Sequence, residues 1–459
     1  MDFKDKSIAV IGMARTGLAV AEVMTELGAR VVLWDKKSES ELGDALDSAR
    51  RIGVETRVGT NDIDLTRVDL VVPSPGVPRG MAVFAEAKKR GIEVISEIEL
   101  AYRLSKAPII AITGTNGKTT TTVLAGRIMQ ADGRETYIAG NVVAGDIRLP
   151  LIVAAHKASA NGVIVAEIST FQLEWISTFK PKAAALLNIG TDHMDRHASI
   201  EEYAGLKARI FENQTPDDFA VINMENPFTA SIAPKLKGHL LPFARKSEVS
   251  EGGFVRGDEL VVRINGVESV VCTRSDIPLR GEHNVENILA AACACLALGA
   301  RPESVAKAVR EFKPVEHRLE PVGVVDGVEY INNSMCTNVE AAVRSVEAIS
   351  EPQIVIAGGK DKGLDYKPLG EAFKRKAKHV VLIGVDADIL ESAARSAGFE
   401  DISRAGSLQD AVKIAHTLAV PGDVVVLTPS CASFDMFTSF EDRGQTFKRA
   451  VKALADRRV

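Results

Sequence analysis

The sequence predicts three α/β domains in series, each with a mostly parallel sheet covered by helices. A chain of 459 residues is too long for one core, because domains commonly contain about 100–200 residues. Short β-branched runs alternate with longer helical patterns almost throughout, which favours parallel sheets wrapped by helices. We predict domain limits at residues 1–106, 107–314 and 315–459.

The composition is typical of a soluble globular protein, with 46% hydrophobic and 25% charged residues. A net charge of −5 gives no general attraction to nucleic acid or to anionic membranes. No stretch approaches the roughly 18–20 apolar residues of a membrane span, and the charged N-terminus is not typical of a signal peptide. The five cysteines lack metal-type spacing, which suits a reducing compartment. We therefore expect a cytoplasmic monomer whose partners are small molecules, with neither nucleic acid nor membrane among them.

The first domain is predicted to be Rossmann-like. A strand, a tight turn, a helix and two further strands follow one another at Ser7–Ile11, Gly12–Gly17, Leu18–Leu27, Arg30–Trp34 and Val68–Val72. The turn has the outline of a dinucleotide fingerprint, but Ala14 stands where a glycine would let a pyrophosphate approach closely. NAD binding, and with it a dehydrogenase, is therefore disfavoured.

The strongest local signal opens the second domain. The strand Ile109–Thr113 runs into a glycine loop and the start of a helix. Glycines allow successive N–H groups to surround an anion, and the helix adds the positive end of its dipole. Lys118 would face the β- and γ-phosphates, and Thr119 would bind Mg²⁺. The spacing departs from the usual GxxxxGK[ST], because Gly114 lies only three residues before Gly117. We predict a P-loop ATPase-type α/β domain.

Polar side chains follow two later strands of this domain, which are predicted at 162–167 and 183–188. Glu167 ends the first strand, and His193 comes shortly after the second. Ligands gather at the carboxyl ends of parallel strands, and Mg²⁺ prefers oxygen ligands. Glu167 is therefore a candidate magnesium ligand, and His193 a candidate ligand of a second ion. Short strands between Phe254 and Ile277 predict a small antiparallel sheet, and a helix is predicted at Val285–Leu298.

A third, Rossmann-like α/β domain is predicted to begin near Phe312–Arg318. Its strands are each followed by a polar turn and a helical pattern. They are Tyr330–Asn332, Gln353–Ala357, His379–Gly384 and Val424–Thr428.

Motifs from the second and third domains resemble those of the Mur ligases and occur in the order found in that family. They are Gly114–Thr120, Glu167–Leu173, Asn188–Asp195, Gly281–Asn287, His317-Arg318, Gly358–Gly363 and Ser430–Asp435. In the first domain, the Gly12–Gly17 turn, Asp35 and the Ser74-Pro75-Gly76 turn resemble the features with which the D-glutamate-adding members hold a UDP-sugar. The resemblance therefore spans nearly the whole chain.

The resemblance implies an ATP-dependent ligase that joins D-glutamate to UDP-N-acetylmuramoyl-L-alanine through an acyl phosphate, in peptidoglycan precursor synthesis. The expected substrates are ATP, the UDP-sugar and glutamate, and the expected cofactor is Mg²⁺, as two ions. The family assigns catalysis to Lys118, Glu167, His193 and Lys207. It assigns metal binding to Thr119, Glu167, His193 and Lys207, the last after carbamylation.

The remaining family contacts fall into three groups. ATP would contact Gly114, Thr115, Asn116, Gly117, Lys118, Thr119, Thr120, Asn284, Asn287, Arg318 and Asn333. The UDP-substrate would contact Arg15, Thr16, Asp35, Ser74, Pro75, Gly76 and Asn141. The amino acid would contact Thr337, Lys362, Ser433 and Phe440. Lys362 suits a substrate that carries a carboxylate, as glutamate does.

Two residues depart from the family pattern: Asn333 replaces an aspartate, and Met335 replaces a lysine. These changes leave open the same chemistry with L-glutamate or another amino acid, including that of a later Mur ligase or a folylpolyglutamate synthetase. They also leave open a nucleotide-binding regulator without catalysis. Asp35 and the Ser74-Pro75-Gly76 turn disfavour the folate enzyme, and Lys118 disfavours the regulator. We expect the third domain to close over ATP, with a hinge near Lys313–Arg318.

Overall fold

The N-terminal sheet has five parallel strands in the order β3-β2-β1-β4-β5 within residues 3–190 and 199–456, which the computed structural model describes. The strands are β1 Ser7–Ile11, β2 Arg30–Asp35, β3 Glu55–Val58, β4 Leu70–Pro73 and β5 Glu93–Val94. The helices are α1 Arg15–Glu26, α2 Glu39–Leu42, α3 Asp44–Ile52, α4 Ala82–Arg90 and α5 Glu97–Leu104. Strands β1 and β4 are nearly continuous apolar runs, as expected for strands covered on both faces.

The central sheet has nine strands in the described part of the chain, in the order β14-β13-β12-β11-β10-β9-β6-β8-β7. They are β6 Ile109–Thr113, β7 Thr136–Gly140, β8 Val163–Glu167, β9 Ala183–Leu186, β10 Phe219–Asn223, β11 His239–Ala244, β12 Gly252–Arg256, β13 Glu259–Ile264 and β14 Val267–Thr273. The helices are α6 Lys118–Ala131, α7 Leu151–Lys157, α8 Thr170–Leu173, α9 Ile200–Ala208, α10 Pro227–Ile232, α11 His283–Ala297 and α12 Pro302–Glu311. Every residue of β6, β8 and β9 is buried, which fixes the strand ends that carry the site.

The predicted antiparallel strands are confirmed as β12, β13 and β14. They do not form a separate sheet. Phe243 of β11 pairs in parallel with Gly253 of β12, so the antiparallel strands extend the parallel sheet at one edge.

The C-terminal sheet has six strands among the residues described, in the order β15-β16-β20-β17-β18-β19. All pairs are parallel except β15 with β16. The strands are β15 Glu320–Val325, β16 Val328–Asn332, β17 Gln353–Gly358, β18 Ala377–Ile383, β19 Ile402–Arg404 and β20 Val424–Leu427. The helices are α13 Val339–Glu347, α14 Lys367–Lys376, α15 Ala387–Ser396, α16 Leu408–Leu418 and α17 Phe440–Asp456.

Helix α5 fastens the N-terminal domain to the central one. The buried Glu99 carboxylate accepts hydrogen bonds from the backbone N–H groups of Ser177, Thr178 and Phe179. Glu97, one half-turn earlier, accepts a bond of 2.7 Å from the Ile152 N–H at the start of α7. The division at 106/107 and the one at 314/315 remain predictions.

The three-domain α/β architecture predicted from the sequence is confirmed. Strand β1 and strand β6 have the predicted limits, whereas α1 begins at Arg15, three residues before the predicted Leu18. No helix in the described segments is long and apolar enough to cross a membrane.

Candidate active site

A cavity of about 470 Å³ opens where the carboxyl ends of β6, β8 and β9 face the C-terminal domain. The central domain supplies the phosphate loop, Glu167 and the start of α11, and the C-terminal domain supplies the 333–345 segment and Phe440. The predicted site residues that line it are Thr115, Asn116, Gly117, Lys118, Thr119, Thr120, Asn141, Glu167, Asn284, Asn287, Arg318, Asn333, Thr337 and Phe440.

The phosphate loop is held in shape by contacts with Asn188, two residues after the end of β9. The Thr115 N–H donates to the Asn188 carbonyl at 2.9 Å, and the Asn116 N–H donates to Asn188 Oδ1 at 2.8 Å. Gly117 has φ +84°, and a Cβ there would lie 2.3 Å from Asn287 Oδ1, so only glycine fits. Lys118 Nζ donates to the carbonyls of Gly114 and Thr115 at 3.0 and 2.9 Å. The loop and its ammonium group are therefore arranged for an anion.

Glu167 is a buried carboxylate with one oxygen to spare. It ends β8, and Asn141 Nδ2 donates to its Oε1 at 2.9 Å. Its Oε2 is buried and has no hydrogen-bond partner among the described residues. Such an oxygen is costly unless a cation or donor satisfies it. A hard divalent ion fits this oxygen, and the Thr119 hydroxyl lines the same cavity.

Two further predicted metal ligands have different outcomes. Lys207 is 2% exposed on α9, and its ammonium lies 4.6 Å from the centre of the Tyr203 ring. Thr115 Oγ1 donates to the Tyr203 hydroxyl at 3.3 Å. Tyr203 therefore lies between Lys207 and the phosphate loop and contacts both. His193 lies outside the described residues.

The start of α11 joins the phosphate-loop helix through two amides. Thr121 Oγ1 donates to Asn287 Oδ1 at 3.2 Å, and Asn287 Nδ2 donates to Asn284 Oδ1 at 3.0 Å. Burial lowers the pKa of the neighbouring His283 from 6.5 to about 4, with Arg344 and Arg318 acting in the same direction. The His283 imidazole is therefore neutral at neutral pH.

Arg318 bridges the central and C-terminal domains. Its Nη2 donates to Thr119 Oγ1 at 3.2 Å, and burial lowers the pKa of its guanidinium from 12.5. Asn338 Nδ2 also lies 3.4 Å from Asn116 Oδ1. A Cβ at Gly190 would lie 1.7 Å from Glu340 Oε2, so α13 reaches the loop after β9 closely. The C-terminal domain is therefore closed against the phosphate loop.

The predicted UDP-substrate residues other than Asn141 lie in the N-terminal domain, and two of them brace its glycine turn. Asp35 accepts hydrogen bonds from the N–H groups of Met13 and Lys37 at 2.7 and 3.0 Å, and Ser74 Oγ donates to the Gly12 carbonyl at 3.0 Å. Among the described residues that line the cavity, Asn141 is the one member of this group. The others lie apart from it: Arg15, Thr16, Asp35, Ser74, Pro75 and Gly76.

Arg15 is electrostatically coupled to groups on both sides of the boundary between the N-terminal and central domains. Partial desolvation and then Arg148 lower its pKa, while Glu97 and Glu167 oppose them. The Arg15 guanidinium is therefore within electrostatic range of the cavity carboxylate, although it belongs to the N-terminal domain.

Three of the four predicted amino-acid residues, Thr337, Lys362 and Phe440, are brought together by the C-terminal domain at or beside the cavity. Lys362 Nζ lies 3.5 Å from Thr337 Oγ1, and both Thr337 and Phe440 line the cavity. Ser433 is buried, and its carbonyl accepts from the Phe437 N–H at 2.9 Å. The departures sit beside this group. Asn333 Oδ1 accepts from the Leu319 N–H at 3.2 Å, and Met335 lines the cavity.

Sequence reasoning missed Arg443, which holds two of these loops together. It is 1% exposed, and its guanidinium donates to the carbonyls of Ser334, Cys431 and Ala432 at 2.9 to 3.4 Å. Burial lowers its pKa to about 10, so it remains charged at neutral pH. A single arginine in a helical pattern carries no local signal of this role. The role of Asn188 could have been predicted, because this residue ends the predicted strand 183–188 and begins the Asn188–Asp195 motif.

The fold and the cavity together define a class of protein: an α/β nucleotide-binding protein in which the C-terminal domain closes on the phosphate loop of the central domain. Three family models match consecutive parts of the chain: "Mur ligase MurD-like, N-terminal domain" at residues 6–96, "Mur ligase middle domain" at 112–295 and "Mur ligase, glutamate ligase domain" at 317–431. The chain belongs to the Mur ligase family.

Curated relatives support the family, and solved structures support the fold. The UDP-N-acetylmuramoylalanine–D-glutamate ligase of Pelotomaculum thermopropionicum is 45% identical, with 99% of each chain covered. That of Geotalea daltonii is 44% identical, also over 99% of each chain. The fold resembles UDP-N-acetylmuramate-alanine ligase MurC of Thermotoga maritima (TM-score 0.62, 17% identity, 97% of this chain and 99% of that one). It also resembles the MurF ligase of Thermotoga maritima in complex with ADP (TM-score 0.60, 15% identity, 98% and 96%).

Proposed function

We propose that this protein is an ATP-dependent ligase that adds D-glutamate to UDP-N-acetylmuramoyl-L-alanine in the cytoplasm, giving ADP and phosphate. The observation that carries the proposal is a single cavity lined by the phosphate loop on one side and by Thr337 and Phe440 on the other. A phosphoryl donor and an amino acid can therefore meet there. The names of the 40–45% identical relatives supply the UDP-N-acetylmuramoylalanine and D-glutamate substrates.

The first chemical step is phosphoryl transfer. The substrate carboxylate attacks the γ-phosphorus of ATP, and the bond from this phosphorus to the β–γ bridging oxygen breaks. ADP departs, and the substrate becomes an acyl phosphate. Positioning and charge neutralisation dominate this kind of catalysis. Lys118 and the N–H groups of Asn116 and Gly117 would hold the phosphates.

Glu167 and Thr119 would hold a Mg²⁺ ion, and His193 would hold a second together with Lys207 once its amine is carbamylated and offers carboxylate oxygens. Bound Mg²⁺ would neutralise charge on the phosphates. On the base side, Asn284 and Asn287 would contact the nucleotide, and Arg318 would reach the phosphates from beside Thr119. Asn333 would contact it from the C-terminal domain.

In the second step the glutamate amine attacks the acyl carbon, and the tetrahedral intermediate expels phosphate. The amine proton passes to solvent or to the leaving phosphate. Lys362 would pair with a glutamate carboxylate, beside Thr337, Ser433 and Phe440. Acyl phosphates hydrolyse, so the site must exclude water. The closed contacts at Arg318 and Asn338 support this.

The hinge for closure would lie at Lys313–Arg318. His317 and Leu319, on either side of Arg318, have φ of +64° and +40°, which is uncommon for residues other than glycine. A change in these angles on opening would relieve local strain. Scattering profiles that do not change between the free protein and its complex with an ATP analogue and the UDP-substrate would contradict this hinge.

The decisive experiment measures phosphate release with Mg-ATP and UDP-N-acetylmuramoyl-L-alanine, comparing D-glutamate, L-glutamate and no amino acid. Release that requires D-glutamate supports the proposal. Release with L-glutamate alone changes the specificity and keeps the chemistry. No release with any amino acid, although ADP binds, would make the chain a nucleotide-binding regulator.

A further inference from the structure

Arg280 joins the central domain to the C-terminal domain by two ion pairs. It lies in the loop before α11, at the rim of the cavity. Its Nη2 lies 2.7 Å from Glu329 Oε2 on β16, and its Nη1 lies 3.0 Å from Glu351 Oε2. Ser350 Oγ donates to the same Glu351 oxygen at 3.0 Å. Two carboxylates of one domain thus converge on one guanidinium of the other.

Close backbone approach accompanies these ion pairs. Gly281 has φ +90°, and a Cβ there would lie 2.8 Å from the Ala348 Cβ at the end of α13. The two domains therefore meet here without room for a side chain. The ion pairs and the steric contact fix the same relative position.

The same loop touches the nucleotide side of the cavity. Asn284 Nδ2 donates to the Arg280 carbonyl at 2.7 Å, and Asn284 is bonded through Asn287 to Thr121 of the phosphate-loop helix. Because Asn284 is bonded to both Arg280 and Asn287, the contacts that fix its side chain also fix the backbone of Arg280. Substituting the Arg280 side chain leaves this backbone contact intact.

The exposure of the three side chains suits a reversible contact. Their exposed fractions are 29% for Arg280, 26% for Glu329 and 36% for Glu351. Ion pairs so close to solvent are individually weak and depend on salt. They can bias the position of a domain without locking it.

We infer that Arg280 is a positioning residue that holds the C-terminal domain closed over the nucleotide cavity through Glu329 and Glu351. Its two ion-pair partners belong to the C-terminal domain, and it acts by placing Thr337 and Lys362 opposite the phosphate loop. The inference rests on the proposed function only for the identity of the amino acid.

The test compares Arg280→Gln with Arg274→Gln in the full chain. Arg274 is a matched control, because it is 32% exposed and pairs with Glu282 inside the central domain at 2.8 Å. We expect Arg280→Gln to raise the KM for glutamate by about fivefold to tenfold, as two weak ion pairs allow, and to weaken ADP binding less, because most ADP contacts come from the central domain. Arg274→Gln should change neither, and Arg280→Lys should recover part of the loss.

A mutant cycle separates the contact from a general loss of stability. The triple variant Arg280→Gln, Glu329→Gln, Glu351→Gln should be no worse than Arg280→Gln alone, because the contact has already gone. Small-angle scattering with a non-hydrolysable ATP analogue should show a wider molecule for Arg280→Gln than for Arg274→Gln. This arm needs no turnover, so it tests the inference even if no glutamate is ligated. Additive effects in the cycle, or equal scattering of the two variants, would overturn the inference.

Discussion

The Asn141 amide nitrogen lies 2.9 Å from Glu167 Oε1, and Glu167 Oε2 is left buried without a hydrogen-bond partner among the residues that the structure describes. The amide fixes the carboxylate and directs its second oxygen. Because a buried acceptor without a partner is costly, this oxygen has a strong preference for a cation.

Glu167→Gln should therefore weaken divalent-ion binding. The substitution keeps the size of the side chain and removes its charge. We expect Mn²⁺ affinity in the presence of ADP to fall by about 100-fold or more, measured by electron paramagnetic resonance, since even outer-shell changes cost 10–100-fold. Glu135→Gln, at an exposed carboxylate bonded to Ser159, is the control. Equal Mn²⁺ affinity in both variants would remove Glu167 from the metal site.

Gly117→Ala should cost more than the backbone strain alone. Gly133 has nearly the same φ, +85° against +84°, and an added Cβ there would meet nothing within 4 Å. Gly133→Ala should lose about 1–2 kcal/mol of stability from strain. Gly117→Ala should lose this and also weaken ADP binding, because its Cβ would clash with Asn287 Oδ1 at 2.3 Å. Urea unfolding and ADP titration of both variants measure this. Similar ADP affinities would show that the loop adapts.

Local features of the fold and site were predictable from the sequence, and long-range ones were not. Strand β6 and the Gly117-Lys118 turn carry their signals within a few residues, so both were predicted. The Arg280 and Arg443 contacts join residues far apart in the chain. Their geometry is set by how sheets and domains pack, which periodicity does not encode.

The start of α1 shows a smaller failure with a physical cause. The Gly12–Gly17 turn was predicted to precede the helix, but α1 already begins at Arg15. Gly17 is inside the helix, where a Cβ would lie 1.9 Å from the Gly12 carbonyl oxygen. Gly17 therefore allows the helix to pack closely against the turn. The prediction that Gly17 ends the turn did not account for this role.

Asn333 is suited to its surroundings as an amide. Its Nδ2 donates to Ser345 Oγ at 2.9 Å, and the Ser345 hydroxyl is itself used on the Ala341 carbonyl at 2.7 Å. Asn333→Asp would place an acceptor against this oxygen, and the side chain is buried. We expect a loss of about 1–3 kcal/mol in the free energy of unfolding. Asn161→Asp, on the surface, is the control.

Adding Met335→Lys to Asn333→Asp should recover part of that loss. The pair would restore the two charges of the family pattern together, and neighbouring substitutions are commonly coupled. Urea unfolding of the two single variants and the double variant gives the coupling energy. A double variant whose loss of stability equals the sum of the two single losses would show that the two positions are not coupled in this fold. D- and L-glutamate titrations of the same variants would report any change in specificity.

Glu97 and Glu99 lie two residues apart on α5 and have pKa values shifted in opposite directions. Burial raises the pKa of Glu97 from 4.5 to about 7, against hydrogen bonds from the Ile152 N–H and the Gln172 side chain. Burial also opposes ionisation of Glu99, but hydrogen bonds from Ser177, Thr178 and Arg103 lower its pKa below 4.5. The folded state therefore holds on to the Glu97 proton and releases the Glu99 proton early.

The two shifts act on stability in different pH ranges. A carboxyl whose folded pKa is raised binds more protons when folded, so its stabilisation is full below pH 4.5 and is lost as the pH rises through about 7. Glu99 acts oppositely, and its contribution is lost only below pH 4.5. Of these two residues, Glu97 should therefore account for the change in the free energy of unfolding between pH 5 and 8.

Glu97→Gln should remove this pH dependence, because the amide cannot ionise. We expect the free energy of unfolding of the unchanged protein to fall by about 2–3 kcal/mol relative to Glu97→Gln between pH 5 and pH 8. Urea unfolding at intervals of one pH unit measures the difference. The variant can be less stable at every pH, since its NH₂ group would face the donors at the start of α7, and only the slope decides. A difference that stays constant from pH 5 to pH 8 would mean that Glu97 is already ionised in the folded protein, held by Arg15 and the α7 N-terminus.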